Sequence, residues 1–551
     1  MTLALFLVPI AVGLLGTWLP AFGYLPALGG SGLTIDPWRR LFAVPGLGEA
    51  VRLSLATGIG STVLSLTIAM GSLAAWHGTG VERAIRRTLA PVLAVPHAAL
   101  AVGLAFLLAP SGWIARALSP WATGWHHPPD LAIVQDPGGL ALTFGLVIKE
   151  TAFLLFMALA AMQQIRVDDG MTIARSLGYR PLAAWIKTIL PQLYPQMRLP
   201  VFAVLAFALS VVDMGMILGP ATPPPLAPLI LRWTADPDLS MRFVAAAGAG
   251  LQVLLVVAAI ALWIAAERAV AAASRAWLVA GRRGGSGLPA RAVSGAAQVI
   301  LALAAAGSIA GLGVWSVAAR WHWPESLPAG WRLSTWTGAM PALAAPAWTT
   351  LGAGLASTVL ALVLVVGCLE HEQRHHVRPT RRALWLLYTP LLVPQIGFLF
   401  GLQVVLVALG LDGGWLALVW SHLLFVLPYI FLSLADPWRT LDERYQRTAA
   451  CLGAAPVRAF LAVKLPMLLR PILVAGAVGL SVSVAQYLPT VFAGAGRLTT
   501  LTTEAVALAS GADRRVIGVY AFAQALLPLL GFGIALALPA WLYRRRRGMR
   551  R

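Results

Sequence analysis

The stretch Ala174-Arg175-Ser176-Leu177-Gly178-Tyr179-Arg180-Pro181, closed by Leu190-Pro191, returns as Ala449-Ala450-Cys451-Leu452-Gly453-Ala454-Ala455-Pro456, closed by Leu465-Pro466. In a chain of 551 residues the second copy lies half a chain length after the first, so the sequence reads as two halves. Each copy spells a helix, a stop and a second short helix. Gly178 and Gly453 supply the left-handed residue that ends a helix without a Cβ clash. Pro181 and Pro456 lack an N–H and belong in the first turn of the next helix. Two short helices set at an angle among apolar runs make a knob that another protein can grip.

Composition places these knobs in a membrane protein. Hydrophobic residues make up 59% of the chain and charged residues 11%, under half the charged share of a soluble domain, about 25%. The formal charge of +20 does not indicate nucleic acid, because the arginines fall in short clusters between long apolar runs. Two cysteines, Cys368 and Cys451, are too few for a disulfide framework. The N-terminal apolar run lacks a basic flank and is expected to be a retained span rather than a cleaved signal.

Runs of about twenty apolar residues suffice to cross the hydrocarbon core, and they predict an all-α integral membrane protein of about 12 transmembrane helices. The expected spans are 2–20, 51–76, 88–109, 139–163, 199–218 and 243–266, then 294–319, 348–369, 383–409, 415–435, 471–492 and 517–543. This divides the chain into a first half (1–273), a Gly- and Arg-rich linker (274–293) read as flexible, and a second half (294–551). The knobs lie in loops of about 166–198 and 439–470. Ser61-Thr62-Val63-Leu64 recurs as Ser357-Thr358-Val359-Leu360, and Pro96 with Gly103 recurs as Pro394 with Gly401. Six spans per half make the halves parallel repeats about an axis along the membrane normal. The face bearing both knobs collects Arg83, Arg86, Arg87, the linker, Arg374, Arg378, Arg381, Arg382 and the tail Arg544 to Arg547. The positive-inside rule then puts knobs, linker and both termini in the cytoplasm. The opposite face carries Pro- and Trp-rich loops such as 110–137 and 221–238, which suit either a partner or an interfacial cap.

The twin stretches resemble the cytoplasmic EAA loop of the permease subunits of ATP-binding-cassette importers. Aligned on the glycine, Thr172-Ile173-Ala174 and Arg447-Thr448-Ala449 stand where that family has Glu-Ala-Ala; the Gly and the Leu-Pro are kept, the leading Glu is not. The resemblance implies a type I importer permease fold, with Ala174, Arg175, Ser176, Leu177, Gly178, Leu190, Pro191 and Ala449, Cys451, Leu452, Gly453, Leu465, Pro466 forming two coupling loops. Leu177 and Leu452 would be the apolar contacts. The fused layout is similar to the thiamine and ferric-iron importers. It implies two ATPase subunits carrying ATP and Mg, a substrate-binding protein outside, and a bacterial inner membrane.

Other chemistries are poorly supported. The three lysines, Lys149, Lys187 and Lys464, follow no glycine, so no phosphate-binding Gly-Lys-Ser/Thr loop exists and no bound cofactor is expected. His371-Glu372-Gln373-Arg374-His375 matches a zinc-protease motif, but span 383–409, roughly 40 Å of helix, separates it from Asp412, so no metal site or enzyme activity is expected. Polar groups at membrane depth are functional candidates. Lys149, Glu150, Asp213, His422 and Gln486 are candidate path residues, with interhelical bonding the alternative; His97, Gln395 and Gln403 carry a weaker signal. Lys149, Glu150 and Asp213 would serve as proton or ion sites in the rival reading, an ion-driven secondary transporter with two six-span halves.

Overall fold

The computed structural model describes residues 2–284, 287–377, 380, 383 and 386–544. The orientation signals at Arg378, Arg381, Arg382 and 545–547 lie outside the described residues. The described chain is helical, with no strand beyond two isolated bridges, Leu25 with Gly30 and Ala318 with Trp331.

The first half supplies α1 (Thr2–Ala21), α2 (Leu47–Trp76), α3 (Gly80–Ala94), α4 (His97–Leu108), α5 (Leu140–Met162), α6 (Val167–Ser176), α7 (Leu190–Ser210), α8 (Asp213–Leu218), α9 (Leu226–Thr234) and α10 (Met241–Val279). The second half supplies α11 (Leu288–Val317), α12 (Ser334–Arg374), α13 (Gln395–Ala408), α14 (Trp415–Thr440), α15 (Arg444–Cys451), α16 (Leu469–Val484), α17 (Leu488–Gly494), α18 (Leu501–Leu508) and α19 (Arg514–Leu542). Among the described residues nine helices are long and apolar enough to cross a membrane, or ten if the pair Pro456–Met467 and Leu469–Val484, bent by 71°, is one span. Phe6–Ala21 and Gln395–Ala408, at the places of the expected first and ninth spans, are shorter.

The expected spans 199–218 and 471–492 are corrected: neither is a continuous helix. The chain unwinds at Val211-Val212 and again at 485–487. The third span of each half is interrupted as well, at Pro96 and at Pro394, each of which stands in extended backbone as the N-cap of the next helix. Proline cannot donate to the preceding turn and biases the residue before it out of helix. Freed backbone groups inside a membrane need partners from the protein, and the two halves supply them in parallel. Ser54 Oγ accepts from Leu226 N–H at 2.8 Å, and Thr350 Oγ1 from Leu501 N–H at 2.9 Å. Gln252 donates to the Leu209 carbonyl at 3.2 Å, while Gln524 donates to Thr502 Oγ1, which in turn donates to the Val484 carbonyl.

The halves exchange their first helices. α1 packs on α13 and α11 packs on α4. At the first crossing a Cβ on Gly401 would lie 2.0 Å from the Gly13 carbonyl oxygen. Thr17 Oγ1 donates to the Gly13 carbonyl and accepts from Gly401 N–H, both at 3.0 Å. At the second crossing a Cβ on Gly103 would lie 2.5 Å from the Ser308 carbonyl oxygen. Small residues let membrane helices approach at backbone distance. At the end away from the knobs, Arg116 donates to the Ser111 and His322 carbonyls and lies 5.1–5.8 Å from the Trp315, Trp321 and Trp323 rings, so loops of the two halves cap each other.

These crossings predict that Gly401→Val lowers stability by at least 1–3 kcal/mol, the usual cost of overpacking. Gly367→Ala on α12, where a Cβ meets nothing within 4 Å, should be neutral or slightly stabilising. Thermal unfolding in detergent distinguishes the two.

Candidate functional site

The four helix breaks converge on one cavity of about 1140 Å³ between the halves. It is lined by Arg86 and by Gln163, Gln164, Asp436 and Arg439, the last four next to the two knobs in sequence. Its far end is at the breaks, where Asp213 and Gln486 line it and the Tyr487 hydroxyl meets the Met216 sulfur at 3.5 Å.

Of the five path candidates, Lys149, Glu150, Asp213 and Gln486 line this cavity, as do His97 and Gln395; His422 and Gln403 do not. Lys149, only 4% exposed, points its ammonium at the interrupted end of α3 and donates to the carbonyls of Val92 (3.0 Å), Leu93 (3.3 Å) and Val95 (2.7 Å). All three protons of the ammonium are therefore used, and the cation stands at a helix C-terminus, where the backbone dipole favours positive charge. Glu150 turns the other way, its Oε1 3.6 Å from His97 Nε2, and the His97 ring packs on Phe207. Asp213 is the first residue of α8 and is buried. His422 is sealed from the cavity: its Nδ1 lies 2.7 Å from Ser483 Oγ and its Nε2 3.0 Å from Thr490 Oγ1, tying α14 to α16 and α17. Gln252 and Gln524, which hold the breaks beside Asp213 and Gln486, went unread in the sequence, though a lone Gln in the last span of each half was visible.

The two knobs have the same backbone. Gly178 and Gly453 both take φ 82°. In the first, Gly178 N–H bonds to Arg175 O and Tyr179 N–H to Ala174 O; in the second, Gly453 N–H bonds to Ala450 O and Ala454 N–H to Ala449 O. This is the Schellman pattern, six-to-one and five-to-two, built twice. Pro181 and Pro456 then open the next helix. Each helix next widens into a π-turn, Trp185–Ile189 and Phe460–Lys464, whose Leu190 and Leu465 N–H groups bond five residues back to Trp185 and Phe460. Pro191 and Pro466 follow at once, so the Leu-Pro pair restarts the helix where proline's missing N–H leaves the old register unpaired.

At each apex the apolar side chains face outward: Ile173 and Leu177 are 62% and 59% exposed, Leu452 and Val457 83% and 63%. Arg175, Ser176 and Cys451 are exposed, Ala174 is buried and Ala449 half-buried. The knobs are bonded to neighbouring helices by polar groups. His77, just past α2, lies between Glu82 (3.4 Å) and Asp168 of α6 (3.8 Å). Lys464, buried at 1% exposure, bonds Glu370 and Gln373 of α12 and stands 4.4 Å over the Trp438 ring. Of the zinc-protease-like residues, Gln373 belongs to this network and Glu372 pairs with Arg439 at 2.8 Å, while Asp412 pairs apart from it with Arg497 at 3.2 Å.

No family model matches the chain. The inner membrane ABC transporter permease protein YnjC of Escherichia coli (strain K12) is 32% identical over 528 residues, covering 94% of this chain and 93% of that one.

The Lys149 geometry yields a prediction that separates scaffold from path. Lys149→Met strands three carbonyls at the end of α3, that of Val95 buried, and should cost about 2–5 kcal/mol of stability. A lysine that only lined the cavity would leave the unfolding midpoint in detergent unchanged on the same substitution.

Proposed function

This chain belongs to the inner-membrane permeases of ATP-binding-cassette transporters, and we propose that it is the translocation subunit of an importer with a type I permease fold. In this reading twelve spans, some broken, form two parallel halves, with the knobs and both termini in the cytoplasm. Two ATPase subunits, which carry ATP and Mg, dock on the two knobs, and a substrate-binding protein delivers cargo from the other side. The observation that carries it is the pair of identical Schellman knobs, each presenting bare leucine to water and each next in sequence to residues that line one cavity. Apolar side chains displayed on a rigid turn are what a protein groove buries, and a few such anchors dominate an interface.

The cavity is lined by residues next to the knobs at one end and by Asp213, Gln486 and Tyr487 of the breaks at the other, which fits the inward-facing stage of an alternating-access cycle. Closure of the ATPase pair would draw the knobs together. Through Asp168–His77 at the first and Lys464–Glu370 at the second, each displacement reaches the end of a long helix, α2 or α12. The interrupted helices are the hinges available to convert that displacement into opening at Asp213 and Gln486, because their backbone partners are side chains rather than a continuous ladder.

A tagged chain purified in detergent should retain a P-loop ATPase. Leu177→Glu together with Leu452→Glu should cut the retained ATPase by about tenfold or more, with stability changed by no more than about 0.5 kcal/mol, as for other surface substitutions. If the intact chain retains no ATPase, the importer reading fails.

A further inference from the structure

The segment between the halves is tied to one knob and not to the other. α10 runs to Val279 and α11 starts at Leu288, so of the expected linker the described residues 280–284 and Gly287 lie outside helix. This stretch is fixed to the first knob. Arg180 N–H donates to the Arg283 carbonyl at 3.0 Å. The Lys187 ammonium donates to the Trp277 carbonyl at 3.0 Å and stands over the Tyr179 and Trp277 rings at 5.2 and 4.7 Å. Gly284, at φ 84°, runs so close that a Cβ there would lie 2.7 Å from the Ala183 Cβ, and a Cβ on Gly178 would meet the Arg283 guanidinium at 3.3 Å. Among the described residues no segment lies against the second knob in this way, and a Cβ on Gly453 would meet nothing within 4 Å.

The strap extends the exposed surface of the first knob. Val279 and Leu288 are 86% and 65% exposed, and Arg282 and Arg283 are exposed between them. Exposed apolar side chains and exposed arginines of the strap thus accompany Ile173 and Leu177 at the first knob, to which the strap's backbone is bonded. We propose that this strap is part of the docking surface for one ATPase subunit, so that the two surfaces are unequal: knob plus basic strap on the first half, bare knob on the second. The occupant is an ATPase subunit offering carboxylates opposite Arg282 and Arg283 beside its apolar groove, a match that adds orientation and rate more than area. This rests on the importer reading above.

The test is thiol protection in a Cys368→Ala background, with Ile173→Cys reporting the first knob and native Cys451 the second. Purified ATPase should slow maleimide labelling at both thiols. Arg282→Glu with Arg283→Glu should weaken protection at the first thiol by about tenfold and leave Cys451 protected, while Arg282→Lys with Arg283→Lys restores it. Equal protection at both thiols after charge reversal overturns the strap and leaves the importer reading standing. Weakening seen only in vesicles with anionic lipid, and not in detergent, assigns the arginines to headgroups and also overturns it. Protection at neither thiol in the intact chain fails the importer reading itself.

Discussion

Every backbone group freed inside a bilayer must find a partner within the protein, and this chain interrupts its helices where function would need openings. The Val92, Leu93 and Val95 carbonyls are held by one ammonium, the Leu209 carbonyl by Gln252, and the Val484 carbonyl by Thr502 with Gln524 behind it. These side chains explain why polar residues are spread through apolar helices without forming one polar channel. Some face the cavity and others pin the breaks that shape it. Lys149 does both, and its neighbour Glu150, turned about 100° around the helix, is left to face His97 and the cavity.

The repeat is stricter in backbone than in sequence. The two Schellman turns, the two π-turns and the two hydroxyl caps on α9 and α18 coincide although the side chains around them differ. Ile189 in the first π-turn is a core residue, while Lys464 at the matching place is an equally buried cation resting on Trp438 and bonded to Glu370. At this position matching backbone geometry thus rests on different side chains, an apolar residue in one half and a paired cation in the other.

Much of this was legible where a residue type has only one comfortable conformation. Gly178 and Gly453 marked helix ends because a left-handed residue favours glycine; Pro96 and Pro394 stood out as a recurring pair, but spans 88–109 and 383–409 were read through them although proline lacks an N–H. The breaks at Val211-Val212 and 485–487 were not legible, since valine and alanine sit as easily inside a helix as outside it. The π-turns were hidden because no side chain distinguishes five-back from four-back bonding. Lys149 stood out, but its acceptors are carbonyls, which every residue carries and no sequence pattern marks. In the linker Gly281, Gly284 and Gly287 take positive φ, and Gly284 lies against Ala183 of the first knob, a packing that a glycine-rich composition does not announce.

The exchange of first helices has a consequence for how the protein is made. Thr17 finds Gly401 across 384 residues of sequence. At a synthesis rate of about 5–20 residues per second, α1 waits roughly 20–80 s in the membrane before its glycine face meets its own partner. α11 has no such wait, because α4 precedes it in the chain. During synthesis the first half is thus an open bundle with a vacant seat, and the insertion machinery or lipid must shelter Gly13, Gly16 and Thr17 until the second half arrives. Splitting the gene at the linker would make that vacancy permanent in each product unless the two pieces meet in the same membrane.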